Sequence, residues 1–347
     1  MKTYLKRIER TFDYTDKSQY DYVLNQSERS ENFSTILFEL FKKDLKQEDF
    51  AYYPNTKNFK EKICEFYNVK NENLFLSDGS DVGIKSIFET FTTYGKVITS
   101  EPSFPMYQVY CKLYGCQYYG MHYKEDYKLP IERLLMLDDT DTDLFILANP
   151  NSPIGDYKTF DEIKPILDTG KMVLIDEAYI EFVENDDLHY NSFIKYIDEY
   201  PNLIVTRTFS KGFGAAGCRV GMTFAHKDTI ELISKFRQMY EIAGVSLKYC
   251  EFLLDNYNLV DTYIESVKEE RGTLVSLLKE NGFDVIDSQC NWIHFNTTDD
   301  NLKTKQIFDK HKVLVKYCEL PHDNRKSWCR ITIQPNITEQ EFIKELL

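Results

Sequence analysis

Arg207-Thr-Phe-Ser-Lys-Gly-Phe-Gly-Ala-Ala-Gly-Cys-Arg219 is the stretch on which the fold of this chain turns. It follows Leu203-Ile-Val-Thr206, an apolar, β-prone run that reads as a buried strand. A lysine just past such a strand is poorly placed as a solubilising charge. Thr208 and Ser210 precede Lys211, and Arg219 follows it. Hydroxyls, amides near glycines and an arginine together make a phosphate site. A lysine held beside a bound phosphate points to a Schiff base with a phosphorylated aldehyde.

The same run contains a competing pattern. Gly212, Gly214 and Gly217 spell G-x-G-x-x-G after a strand, and Asp228 or Glu231 would serve as the ribose acid of an NAD-binding Rossmann enzyme. That reading leaves Thr208, Ser210, Lys211 and Arg219 without a task, so it stands as the remote alternative.

Composition narrows the class. The chain has 347 residues, enough for a large core and two lobes. Its net charge of −14 argues against nucleic acid or an anionic membrane as the main partner. A small anionic substrate in a locally basic pocket remains compatible with it. Residues 1–10 hold no apolar targeting segment, and no apolar run approaches a membrane span. The eight cysteines form no C-x-x-C pair and no zinc-like spacing, so no metal is expected. They read as thiols of a reducing cytoplasm.

Outward from Lys211, short apolar runs each lead into a polar cluster. Val97-Ile-Thr-Ser100 leads to Glu101-Pro-Ser-Phe-Pro105. Leu144-Phe-Ile-Leu-Ala148 leads to Asn149-Pro-Asn-Ser-Pro-Ile-Gly155. Met172-Val-Leu-Ile175 leads to Asp176-Glu-Ala-Tyr179. Helical stretches between such strands indicate a doubly wound, mostly parallel sheet, in which ligands bind beyond the carboxyl ends of the strands. Ser77-Asp-Gly-Ser-Asp-Val-Gly83 reads as a turn opening a helix. Beyond about residue 225 the pattern changes. Helical stretches over 232–271 and 273–281 precede alternating strands at 283–286, 292–295, 313–315 and 329–333, the signature of a smaller antiparallel lobe. The expected division is an N-terminal segment 1–45 packing with that lobe, a large domain 46–225 and a small domain 226–347.

These motifs, with Tyr52-Tyr-Pro-Asn55 and Trp328-Cys-Arg-Ile-Thr-Ile333, resemble those of the fold-type I pyridoxal-phosphate enzymes of the class I/II aminotransferases. The nearest branch is the histidinol-phosphate aminotransferase type, which also includes threonine-phosphate decarboxylase-like enzymes. The likeness runs through nearly the whole chain, most securely over residues 50–222 and 290–335. It implies an α/β fold with a large doubly wound sheet domain and a smaller C-terminal α/β domain, and pyridoxal 5′-phosphate as cofactor.

Residue by residue, the resemblance makes Lys211 the lysine that bonds the cofactor aldehyde and Asp176 the partner of the pyridine nitrogen. Tyr179 would hydrogen-bond the phenolic oxygen. Ser80, Asp81, Thr208, Ser210 and Arg219 would form the phosphate cup, with Phe104 stacked on the ring. Asn151 or Ser152 would contact the ring oxygen, because Ser152 stands where the family has asparagine. Tyr53 would cross to the phosphate in a partner subunit, which implies a homodimer with shared active sites. Arg330 would grip the substrate α-carboxylate, a bidentate task suited to arginine. Plainer alternatives stay open: a helix cap for Asp176, core packing for Phe104 and Tyr53, and solvated charge for Arg330.

The family's second substrate arginine is replaced, at the corresponding place, by Lys316, and the N-terminal motif is replaced by Leu24-Asn-Gln-Ser-Glu-Arg29. The expected substrate is therefore a small phosphorylated or otherwise anionic amino compound, with Arg29 and Lys316 at its distal anion. Transamination is the expected reaction, and decarboxylation of a phosphoserine- or phosphothreonine-type amino acid is the alternative.

Overall fold

The computed structural model describes residues 8, 15–29, 31, 35–92, 94–184, 191–296, 302–320 and 328–347. A short strand, β1 (Tyr22–Val23), lies near the N-terminus. The large sheet follows: β2 (Leu74–Asp78), β3 (Lys96–Glu101), β4 (Gln117–His122), β5 (Thr142–Ala148), β6 (Met172–Asp176), β7 (Leu203–Thr208) and β8 (Val220–Ala225). Their spatial order is β2-β8-β7-β6-β5-β3-β4. Strands β3 to β7 pair in parallel, and β8 runs antiparallel to both β7 and β2.

Both faces of this sheet are covered, as a parallel sheet requires. Alternation along each strand divides its side chains between two cores. Val173, Ile175, Leu203 and Val205 pack on one face. Leu174, Ile204, Leu144 and Ile146 pack on the other. The doubly wound sheet expected from the apolar runs is present.

The Gly212–Gly217 run does not open a helix. It joins β7 to its antiparallel neighbour β8 through one short 3-10 turn, Ala216–Cys218. A dinucleotide fingerprint needs a strand, a tight turn and then a helix, so the Rossmann alternative has no βαβ unit here.

The second sheet is antiparallel. It comprises β9 (Asp284–Ile286) and β10 (Trp292–Asn296), and, beyond β11 (Val313–Leu314), β12 (Lys316–Cys318) and β13 (Trp328–Thr332), ordered β12-β13-β10-β9. The run 313–315, expected as one strand of this sheet, instead gives β11, which pairs in parallel with β1. The N-terminal segment then continues across the lobe. Leu24 bonds Leu314 and Thr332 through its backbone, and Ser27 N donates to Thr332 Oγ1 at 3.1 Å.

The long helix also differs from expectation. Tyr257–Glu280 is one helix of 24 residues that passes through Gly272 without a break. A single glycine costs a helix only about 1 kcal/mol. The buried stripe Val260, Ile264, Val267, Leu274 and Leu278 outweighs that cost.

Candidate active site

The carboxyl ends of β5, β6 and β7 converge with the start of the helix Gly79–Phe91 on a cavity of about 460 Å³. Ser80, Asp81, Phe104, Ser152, Asp176, Tyr179, Thr208, Ser210, Lys211 and Arg219 all line it. They come from five separate stretches, and the topology of the sheet brings them together.

One end is a cradle. Gly79 has φ 74°, which glycine adopts without strain. A side chain at Gly221 would collide with the Gly79 carbonyl carbon and the Ser80 nitrogen, so β8 and the helix start meet backbone to backbone. The Arg219 guanidinium lies over Gly79, where a side chain would strike it. Arg219 makes no ion pair among the described residues. Thr208 Oγ1 donates to Ser210 Oγ at 2.9 Å, and Ser210 N donates to Thr208 Oγ1 at 3.1 Å. Helix amides, two hydroxyls and an unpaired arginine favour an anion. The Asp81 carboxylate is occupied, because it accepts from the Tyr110 hydroxyl at 2.6 Å.

The floor is acidic. Asp176, 5% exposed at the end of β6, accepts from Tyr107 at 2.8 Å and from Thr206 at 3.0 Å. Burial raises its carboxyl above the ordinary range, and the two hydrogen bonds pull the other way. A cation at this spot would stabilise the ionised form. Tyr107 lies on the first turn of the helix Met106–Tyr114, and its ring meets that of Phe104 edge to face at 5.5 Å.

Lys211 stands between floor and cradle. Its ammonium donates to the carbonyls of Gln26 and Ser27 at 3.1 and 3.3 Å and lies 5.4 Å from the Tyr179 ring. Burial, with Arg330 and Arg219 nearby, pulls its pKa down to about 8. A lysine so placed gives up its proton more readily than a solvated one, and a nucleophile needs the neutral amine.

Beneath the lysine loop lies a charged cluster that the sequence did not reveal. Arg207 Nη1 is 3.6 Å from both Glu177 and Glu181, with all three side chains buried. Burial lifts Glu177 to about 7 despite the arginine. The cluster links Glu177 and Glu181, in the segment after β6, to Arg207 within β7.

Other expected residues lie elsewhere. Asn151 is buried, donates to Ser100 and Ser103, and accepts from the Ile154 backbone, while Ser152 faces the cavity. Of the two, only Ser152 is exposed to a ligand. Tyr53 is 76% exposed and stacks on Tyr240 at 4.0 Å, outside this chain's own cavity. Arg29, Arg330 and Lys316 do not line the cavity itself, and the Arg29 guanidinium pairs with Glu31 and sits 4.1 Å over the Tyr263 ring.

Arg330 and Lys316 are cross-strand neighbours on β13 and β12 and so share one face of the small sheet. Arg330 donates to the Asn25 carbonyl at 2.9 Å and lies 5.2 Å from the Trp292 ring, while its Nε has no hydrogen-bond partner among the described residues. Trp292 in turn meets the Tyr179 ring edge-on at 4.4 Å. Gln26 and Glu28 also line the cavity and Trp292 packs beside Tyr179, and no local sequence pattern marks any of the three.

A sequence model described as aminotransferase class I and II matches residues 28–346. The chain belongs to the class I and II aminotransferases. It is 32% identical over 257 residues to the histidinol-phosphate aminotransferase of Pyrococcus furiosus, covering 74% of each chain. The crystal structure of histidinol-phosphate aminotransferase from Sinorhizobium meliloti, in complex with pyridoxal-5′-phosphate, superposes with a TM-score of 0.82 at 18% identity, covering 100% of this chain and 98% of that one. L-threonine-O-3-phosphate decarboxylase from Porphyromonas gingivalis gives 0.76 at 19% identity, covering 94% and 98%. At these identities the solved structures establish the fold. The aminotransferase uses pyridoxal 5′-phosphate, as this family does. Among the described residues no helix is long and apolar enough to cross a membrane.

Proposed function

We propose that this aminotransferase transfers the amino group of a small phosphorylated or otherwise anionic amino compound, with its cofactor seated in the cavity around Lys211. The observation that carries the assignment is the meeting, in one cavity, of Lys211, Asp176 and the Arg219 cradle. Their donor set fits pyridoxal phosphate from end to end. The cradle takes the phosphate, Asp176 takes the ring nitrogen, and Lys211 reaches the aldehyde.

Bound there, the cofactor supplies an electron sink for the carbon bearing the amino group. The protein's residues supply the rest. Asp176 keeps a proton on the ring nitrogen, Tyr179 and Ser152 face the ring oxygen, and Phe104 covers the ring. Lys211 moves a proton at the substrate carbon. Arg330, whose Nε is unpartnered among the described residues, grips the substrate anion. The histidinol-phosphate relatives support a phosphorylated substrate. Lys316, on the same face as Arg330, would add charge for a dianion.

The remaining assignments rest on composition and surface. Phe50, Tyr52, Tyr53 and Met239 are 67 to 78% exposed, a surface suited to a homodimer in which Tyr53 reaches the partner's cofactor. The eight free cysteines fit a reducing cytoplasm. We divide the chain into an N-terminal segment 1–45, a large domain 46–225 and a small domain 226–347.

Incubation of the holoenzyme with a panel of phosphorylated and carboxylic amino compounds tests the reaction. Transamination converts the cofactor to its amine form and releases a keto product without carbon dioxide. Carbon dioxide release with the cofactor spectrum unchanged would replace transamination by decarboxylation.

A further inference from the structure

Among the described residues three carboxylates line the cavity: Glu28, Asp81 and Asp176. Asp176 is assigned to the ring nitrogen, and Glu28 is ion-paired with Lys17. Asp81 is the one at odds with its place. It lies in the first turn of the helix Gly79–Phe91, whose start is assigned to the cofactor phosphate. A carboxylate there repels a bound phosphate. It also competes with the phosphate for the free amides at the positive end of the helix.

The helix Met106–Tyr114 restrains it. Two tyrosines three positions apart on that helix reach acids of the cavity. Tyr107 donates to Asp176, and Tyr110 donates to Asp81 Oδ1 at 2.6 Å. The Tyr110 hydroxyl also lies 3.2 Å from the Asp81 carbonyl oxygen. Tyr110 is 4% exposed and does not line the cavity. Its ring sits 5.5 Å from that of Phe88, which is on the same helix as Asp81. The hydroxyl is thus held in place against that helix, and the Asp81 carboxylate is anchored to a group outside the cavity lining.

We propose that Tyr110 is a positioning residue for the cofactor phosphate. Its hydroxyl holds the Asp81 carboxylate so that the helix start presents its amides, and not that side chain, to the anion. A hydroxyl donating to a carboxylate makes a short, strong bond, so the restraint is firm. Without it the carboxylate is free to turn onto the helix amides and to oppose the phosphate charge. Tyr110 therefore acts on the cofactor through Asp81 and touches neither cofactor nor substrate. The assignment rests on the reading of this cavity as the cofactor site.

The test is equilibrium dialysis of the holoenzyme against graded pyridoxal 5′-phosphate and, separately, against graded pyridoxal, which lacks the phosphate. Cofactor absorbance reads occupancy. Tyr110→Phe is expected to raise the dissociation constant of pyridoxal 5′-phosphate about tenfold, and that of pyridoxal by less than about twofold. In the Asp81→Asn background the same change is expected to cost less than about threefold, because the charge to be restrained is gone. Unaltered binding of pyridoxal 5′-phosphate by Tyr110→Phe overturns the proposal. So does an equal loss for both compounds, which marks a general disturbance of the fold, or an equal loss with and without the Asp81 charge. Borohydride reduction of the wild type separates a failure of the site reading. A phosphopyridoxyl group on a lysine other than Lys211 overturns that reading and the role of Tyr110 with it.

Discussion

The two ends of the cavity are built by different routes. At the cofactor end, each group sits at the end of a strand of one sheet or at the start of the next helix, in runs such as 176–179 and 208–211. At the proposed substrate end, Glu28 enters the cavity from the N-terminal segment, and Arg330, which does not itself line the cavity, bonds Asn25 of that segment across 305 positions. The first end is fixed by local chain geometry. The second is fixed by strand register in the small sheet, where Arg330 is set opposite Lys316 and His294. We assign the cofactor to the locally determined end and the substrate to the end set by register between distant segments.

The comparison is broken most strongly at the cofactor end. Asp176→Asn removes the charge that keeps the ring nitrogen protonated, and turnover is expected to fall by roughly 10²- to 10³-fold. Cofactor uptake should persist, because the cradle is untouched. A fall in kcat with little change in KM checks this. If Asp176 were only a helix cap or buried filler, activity would follow stability and not the electronics of the ring.

Arg330→Lys probes the other end and should have a smaller effect. Lysine keeps the charge but loses the paired geometry. The expected outcome is a rise of about tenfold in KM with the cofactor spectrum unchanged. A variant that lost its cofactor would join the two ends and contradict the division drawn between them.

The same contrast explains what the sequence disclosed. Lys211 and Asp176 each follow an apolar run, so the strand reading placed them at one edge of the sheet, while Ser80 was legible only as part of a turn opening a helix. The glycine pattern at 212–217 was ambiguous only until β8 was seen to return antiparallel. Arg29 and Glu28 are adjacent charges in the same polar segment, and their different destinations depend on Tyr263, Glu31 and Lys17. No local pattern encodes that choice. Asn151 and Ser152 were likewise inseparable until the turn gave Asn151 to Ser100 and Ser103. The cluster of Arg207, Glu177 and Glu181 was hidden because each residue alone reads as a surface charge.

We assign Lys211 as the lysine that holds pyridoxal phosphate in this cavity. Loading the protein with the cofactor, reducing it with borohydride and mapping the modified peptide by mass tests it most directly. A phosphopyridoxyl group is expected on Lys211, with a loading rate that rises with pH through about 8 as the ammonium gives up its proton. A phosphopyridoxyl group on any other lysine, or a protein that takes none, would contradict that assignment.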